Sequence, residues 1–235
     1  MRPRNWIAAG IPLLSLFSGC FLERPHTALT AAAAAGRAGE VAALLEQGAD
    51  PNVPGGAPGG GFTPLDFAAR DGRTDIISLL LKSGADPDLR SGLGDWTPLM
   101  HAIHKNQEQS LRALLNGGAN VNARGRDGLT ALIMAAGYGY SGMVRELLDS
   151  GADPYAEMAD GNSALTSAVG GVSDIDRFTL CSCQTDTVQT LLEEAPDLRL
   201  KDNFPGRSAR WFARLGRCSE VLRLLEQYES KRSSL

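Results

Sequence analysis

The chain has 235 residues with 23 basic and 27 acidic side chains, a net charge of −4. At 43% hydrophobic and 21% charged it holds enough apolar material for a buried core and is not composed like a disordered chain. The acidic balance argues against nucleic acid, whose phosphates require a basic stripe. Three histidines and four cysteines leave little for a His-built metal or catalytic centre.

Arg2 and Arg4 precede an apolar run from Trp6 to Phe17, interrupted by Gly10, Pro12 and Ser15. At about twelve residues this run is too short to cross the ~30 Å hydrocarbon core as a helix. Ser18 and Gly19 follow, then Cys20. Basic, apolar and small residues in that order predict a secretory signal over residues 1–19. The stretch Leu16-Phe17-Ser18-Gly19-Cys20 resembles a bacterial lipoprotein lipobox, with Phe17 where an aliphatic residue is usual. The resemblance implies that Cys20 is acylated and tethers the chain to a bilayer, with residues 20–26 as a short link. Phe21 follows the cysteine in place of Asp, which by the same resemblance directs the protein to the outer membrane, facing the periplasm. An ordinary cleaved signal with an incidental cysteine, or an uncleaved anchor, is the alternative. Loss of Arg2 and Arg4 with the signal takes the net charge from −4 to −6. An anionic membrane surface would then not draw in the folded part.

From residue 27 the chain repeats itself. Gly48-Ala49-Asp50-Pro51-Asn52 returns as Gly84-Ala85-Asp86-Pro87-Asp88, Gly118-Ala119-Asn120-Val121-Asn122 and Gly151-Ala152-Asp153-Pro154. A Leu-Leu pair precedes each: Leu44-Leu45, Leu80-Leu81, Leu114-Leu115 and Leu147-Leu148. Earlier still stands a threonine: Thr27, Thr63, Thr97 and Thr130, spaced by 36, 34 and 33 residues. Thr63-Pro64-Leu65 and Thr97-Pro98-Leu99 read as helix starts, with Thr as N-cap and Pro at the first helical position. Ala68-Ala69 and Ala135-Ala136 allow close helix approach. Ile76, Ile77, Leu79, Leu80 and Leu81 supply an apolar helix face. Gly84, Gly118 and Gly151 suit the left-handed residue that ends a helix. No single unit can bury its face alone, so the units must stack.

This pattern resembles the ankyrin repeat over residues 27–228. The resemblance implies an all-α solenoid of about six helix-turn-helix repeats with hairpin loops, near 27–62, 63–96, 97–129, 130–162, 163–207 and 208–228. A polar tail, 229–235, would follow. The histidine usual after Thr-Pro-Leu is replaced by Asp66 and Met100. The fifth repeat starts at Ser163 and carries an insertion of about eleven residues between Gly170 and Cys183. The sixth starts at Ser208, has Arg210 where a core Leu is usual, and reads as a C-terminal cap. A Gly/Pro loop from Pro54 to Gly61 enlarges the first hairpin; it lacks the lysine of a phosphate-binding loop.

Chemistry is scarce. His101 and His104 share a helix face but lack a third ligand, and they read as exposed helix side chains. Ser141 is not in a nucleophile elbow, and no carboxylate pair stands out. The expectation is a protein that is not an enzyme and uses no cofactor or metal. Stacking of the fifth and sixth repeats would bring Cys183, or Cys181, close to Cys218, and a disulfide there suits an oxidising compartment; three free thiols are the alternative. Ankyrin arrays bind proteins through hairpin tips and the open side of the first helices. That implies a partner-binding set of Phe62, Arg70, Asp71, Trp96, His104, Lys105, Arg126, Asp127, Leu129, Tyr138, Tyr140 and Asp160, with Trp96 foremost because Trp, Tyr and Arg dominate interface energies. The expected function is a monomeric, lipid-anchored module that holds another protein. An inhibitor of a periplasmic toxin or enzyme, and a stress-linked factor using a free thiol, are the competing readings.

Overall fold

Thr63, Thr97, Thr130, Ser163 and Ser208 all stand in extended backbone, and each side chain accepts a hydrogen bond from the N–H three residues on. Each therefore satisfies an orphan donor and starts a helix. In the computed structural model, which describes residues 25–55, 61–92, 94–171, 183–195 and 208–233, these caps open the inner row of helices. That row is α3 (Pro64–Arg70), α5 (Pro98–His104), α7 (Ala131–Tyr138), α9 (Ala164–Gly170) and α11 (Ala209–Leu215), preceded by α1 (Pro25–Ala34). The outer row is α2 (Ala38–Glu46), α4 (Thr74–Lys82), α6 (Glu108–Asn116), α8 (Ser141–Asp149), α10 (Thr185–Glu194) and α12 (Ser219–Ser233). Each inner helix packs on the next along the whole row, and each also packs on the outer helix of its own repeat.

The rows can stack because their facing residues are small. Ala68, Ala69, Ala102, Ala135, Ala136 and Ala168 are wholly buried between inner helices. Leu65, Leu99 and Leu132 fill the same slot in successive repeats, and Ile76, Ile77, Leu80, Leu111, Leu114, Val144 and Leu147 carry the core under the outer row. Truncating one such Leu to Ala costs about 2–5 kcal/mol. Each outer helix from α2 to α8 ends at a left-handed glycine: Gly48, Gly84, Gly118 and Gly151 have φ of 85°, 88°, 90° and 85°. The following alanine N–H then turns back onto the helix, as in Ala85 N–H to the Leu80 carbonyl at 3.0 Å.

Repeats are keyed to one another at two further places. In the loops, Asn52 accepts from the Asp86 N–H (2.7 Å) and donates to the Gly84 carbonyl (3.0 Å). Asn122 makes the same pair of bonds to Asp153 and Gly151, and Asp88 accepts from the Asn120 N–H. Between inner and outer helices, the N-cap residue of one outer helix reaches over the left-handed residue of the repeat before it. A Cβ at Gly36 would meet Arg73, one at Gly72 would meet Gln107, and one at Gly139 would meet Gln184.

At the ends of the array, α1 begins at Pro25 and so includes Thr27, and α12 runs on to Ser233. The extension has a physical reason. Arg210, in the slot that Leu65, Leu99 and Leu132 fill elsewhere, is half-buried and pairs with Glu229. The signal segment, most of the fifth-repeat insertion and residues 56–60 of the Gly/Pro loop lie outside the described residues. No described helix is long and apolar enough to cross a membrane.

Candidate functional site

The hairpins rise from the inner row and set its rings. Ser91 and Trp96 exchange both backbone hydrogen bonds (2.9 and 3.0 Å), which closes a tight turn with Asp95 in left-handed backbone at φ 50°. The bonds hold Trp96 over the end of α5. Neighbouring hairpins are joined by Arg126 N–H to the Gly94 carbonyl (3.0 Å) and Ala159 N–H to the Asp127 carbonyl (2.7 Å).

On this frame seven rings touch in series. Phe67 meets Phe62 edge to face, with centroids 5.5 Å apart, and Phe62 meets His101 at 4.9 Å. Trp96 lies between His101 (5.4 Å) and His104 (5.1 Å). Tyr138 follows at 5.9 Å from His104, and Tyr140 at 5.5 Å from Tyr138. The Arg70 guanidinium lies over the Phe62 ring, 4.9 Å from its centroid. His104 Nδ1 and the Tyr138 hydroxyl are 2.7 Å apart, which locks the third repeat to the fourth. Adjacent ring pairs at such distances each contribute about 0.5–1.5 kcal/mol beyond their burial. The run is therefore a pre-ordered surface rather than a set of loose side chains.

Of the residues singled out from the sequence, Phe62, Arg70, Trp96, Lys105, Leu129, Tyr138 and Tyr140 are half-buried; Asp71, Arg126, Asp127 and Asp160 are exposed. Arg126 pairs with Asp95 at 3.7 Å across two hairpins. The histidines correct the sequence reading. His101 and His104 are not exposed but 3% and 7% accessible, because Phe62, Trp96 and Tyr138 cover them. His104 therefore supports the face from beneath. Phe67, Ser91, Asp66 and His101 were not assigned to the face from sequence. Phe67 and His101 occupy the same slot in consecutive repeats, four residues after Thr63 and Thr97. That register was the available signal.

Asp66 lies beneath the rings. It is wholly buried, and its Oδ2 accepts from both the N–H and the hydroxyl of Thr63 at 2.7 Å. Its Oδ1 takes no hydrogen bond and lies 3.9 Å from His101 Nε2, itself 3.3 Å from the Ser91 hydroxyl. Burial raises the Asp66 pKa to about 6, although Ser91, Thr63 and the Arg70 charge favour the carboxylate. Burial, with the charges of Arg70, His104 and Lys105, lowers the His101 pKa to about 3. Ser, His and Asp meet here without forming a hydrolytic relay. Such a relay needs hydroxyl and carboxylate on opposite ring nitrogens, whereas both approach Nε2. No cluster of three or more potential metal ligands occurs among the described residues.

At the far end of the array Cys183 and Cys218 are joined, with Cα atoms 5.6 Å apart. The bond occupies the keying position described above. Cys183 stands in left-handed backbone (φ 48°) before α10, and Cys218 directly precedes α12. A covalent link thus replaces the side-chain contact made by Arg73, Gln107 and Gln184. Cys20 and Cys181 lie outside the described residues.

A family model described as ankyrin repeats, in three copies, matches residues 11–91 and 88–158. No curated protein matches the chain.

Proposed function

Because the chain belongs to the ankyrin-repeat family, we propose that it is a protein-binding module whose partner docks on the rings from Phe62 to Tyr140, and that Cys20 tethers it by acyl chains to the bacterial envelope, facing the periplasm. The ring series carries the first part of this reading. Trp and Tyr held rigidly at the edge of a face bind with little loss of side-chain freedom. Arg70, Lys105, Asp71, Asp127 and Asp160 then form a charged border around an apolar centre, the usual anatomy of a binding patch. The basic-apolar-small order before Cys20 supports the tether, and the Cys183–Cys218 bond supports a compartment that oxidises thiols.

Affinity capture from an envelope extract tests the face. The wild-type chain should retain a specific protein, and Trp96→Ala combined with Tyr138→Ala should lose it while keeping the wild-type far-UV spectrum. Equal capture by the double variant removes this surface from the proposal. Sensitivity of the precursor to globomycin, which blocks lipoprotein signal processing, tests the tether; unaffected processing rejects it.

A further inference from the structure

The proposed face rests on a buried polar trio whose hydrogen bonding is incomplete. Asp66 sits on α3 in the second repeat, Ser91 in the following hairpin and His101 on α5 in the third. All three are buried, and the carboxyl presents an oxygen without a hydrogen bond to the other two. A buried orphan acceptor is costly, so the trio should settle in whichever protonation pattern supplies a donor. The charges acting on it come from α3, through Arg70, and from α5, through His104 and Lys105. Asp75 and Lys82 of α4 and Glu108 and Arg112 of α6 are exposed to solvent, and the described side chains of α1 are Ala, Leu and Thr.

We propose that Asp66, Ser91 and His101 form a proton-linked latch between the second and third repeats, in which loss of the carboxyl proton reverses a short hydrogen-bond chain and moves the rings that rest on His101. With the proton present, Asp66 donates to the Ser91 oxygen and the Ser91 hydroxyl donates to a bare His101 Nε2, so the imidazole carries its hydrogen on Nδ1. With one proton released to solvent, Nε2 carries the imidazole hydrogen and donates to Ser91, which donates to the carboxylate. The imidazole is neutral in both states and exchanges its tautomer: the carboxyl hydrogen passes to the Ser91 oxygen, the Ser91 hydrogen passes to Nε2, and the Nδ1 hydrogen leaves to solvent. One proton is lost in all, and the carboxyl is the group left charged. As the trio stands, Asp66 Oδ1 takes no hydrogen bond while Ser91 is already 3.3 Å from His101 Nε2, so completing the chain requires Ser91 to shift toward the carboxyl with the imidazole following it, and Phe62 and Trp96 contact that ring at 4.9 and 5.4 Å. The raised Asp66 pKa, about 6, places the change close to neutrality.

The latch concerns the regulation of the face proposed above. Its test needs no partner, so its failure leaves the binding reading standing. Nitrogen-15 spectra of the imidazoles report tautomer and charge separately. With three histidines in the chain, His101 is assigned by loss of its signals in His101→Gln. In the full-length protein His101 should pass from the Nδ1–H to the Nε2–H tautomer with a midpoint near pH 6, without forming imidazolium above pH 4.5. The Trp96 indole N–H signal should move with the same midpoint. Asp66→Asn and Ser91→Ala should each abolish the change; the serine variant decides the matter if the asparagine variant fails to fold. A single tautomer across the range, an imidazolium titration near pH 6.5, or a tautomer change that survives in either variant overturns the latch.

Discussion

Removing the Cys183–Cys218 bond should loosen only the end of the array, by an amount the structure fixes. The two cysteines are 35 residues apart in sequence, and releasing a loop of that length returns about 13 cal/mol/K of chain entropy to the unfolded state, or roughly 4 kcal/mol at 25 °C. In a stacked array the loss stays with the units that the bond joins, because each repeat contacts only its neighbours. Cys218→Ala is the suitable change, since Cys181 could replace Cys183 but nothing nearby in sequence replaces Cys218. Cys218 is 5% accessible, so alanine leaves a small gap without burying a new polar group. Amide hydrogen exchange read helix by helix is the assay. Protection in α9 to α12 should fall by about 700-fold, the equivalent of that free energy, while α3 to α6 keep theirs. An equal loss along every helix would refute the nearest-neighbour reasoning. No loss anywhere would refute the entropic role of the bond.

Two further predictions concern protons and backbone. The Asp66 pKa is raised to about 6 by burial, so its contribution to stability is complete below the unfolded value of 3.8 and fades as pH rises through 6, by about 3 kcal/mol. His101 is lowered to about 3, so its contribution is complete above the unfolded value of 6.5 and fades as pH falls. Between pH 4 and 6 the two slopes oppose each other. Relative to wild type, urea midpoints of His101→Gln should fall over that window as pH rises, and those of Asp66→Asn should climb; parallel slopes in all three proteins would contradict the assignment. Gly139 has φ 77° and its added Cβ would sit 2.3 Å from Gln184, so Gly139→Ala should cost about 1–2 kcal/mol. Gly39 lies within α2 with nothing within 4 Å of an added Cβ, so Gly39→Ala should gain up to about 1 kcal/mol by helix propensity. Thermal unfolding of the two variants checks the pair.

The repeat was readable because its physics is local. A threonine cap, a proline at the first helical position, a Leu-Leu pair and a left-handed glycine each act within a few residues, and each recurs in phase. The ring series was half readable. Phe62, Trp96, Tyr138 and Tyr140 were brought forward by the resemblance to ankyrin arrays, whose partner-binding positions their register matches. Phe67 and His101 were missed because they look like ordinary inner-helix residues until two consecutive repeats are laid side by side. The histidines were misread as exposed because their burial comes from Phe62, Trp96 and Tyr138, which belong to hairpins and neighbouring repeats rather than to α5. Asp66 was seen only as a replacement for a usual histidine. Its isolation from water depends on Ser91 and His101, 25 and 35 positions further on. No pattern within one repeat encodes that contact.

The central claim is that a partner seats on the ring face and not on the outer row. Site-specific photocrosslinking in the living cell tests it directly, with a benzophenone side chain placed at Phe62, at Tyr138, or at Arg112 on the exposed side of α6. Adducts of one common mass from positions 62 and 138, absent from position 112, are the result this account predicts. Adducts from position 112 alone, or none from either ring position, would contradict it.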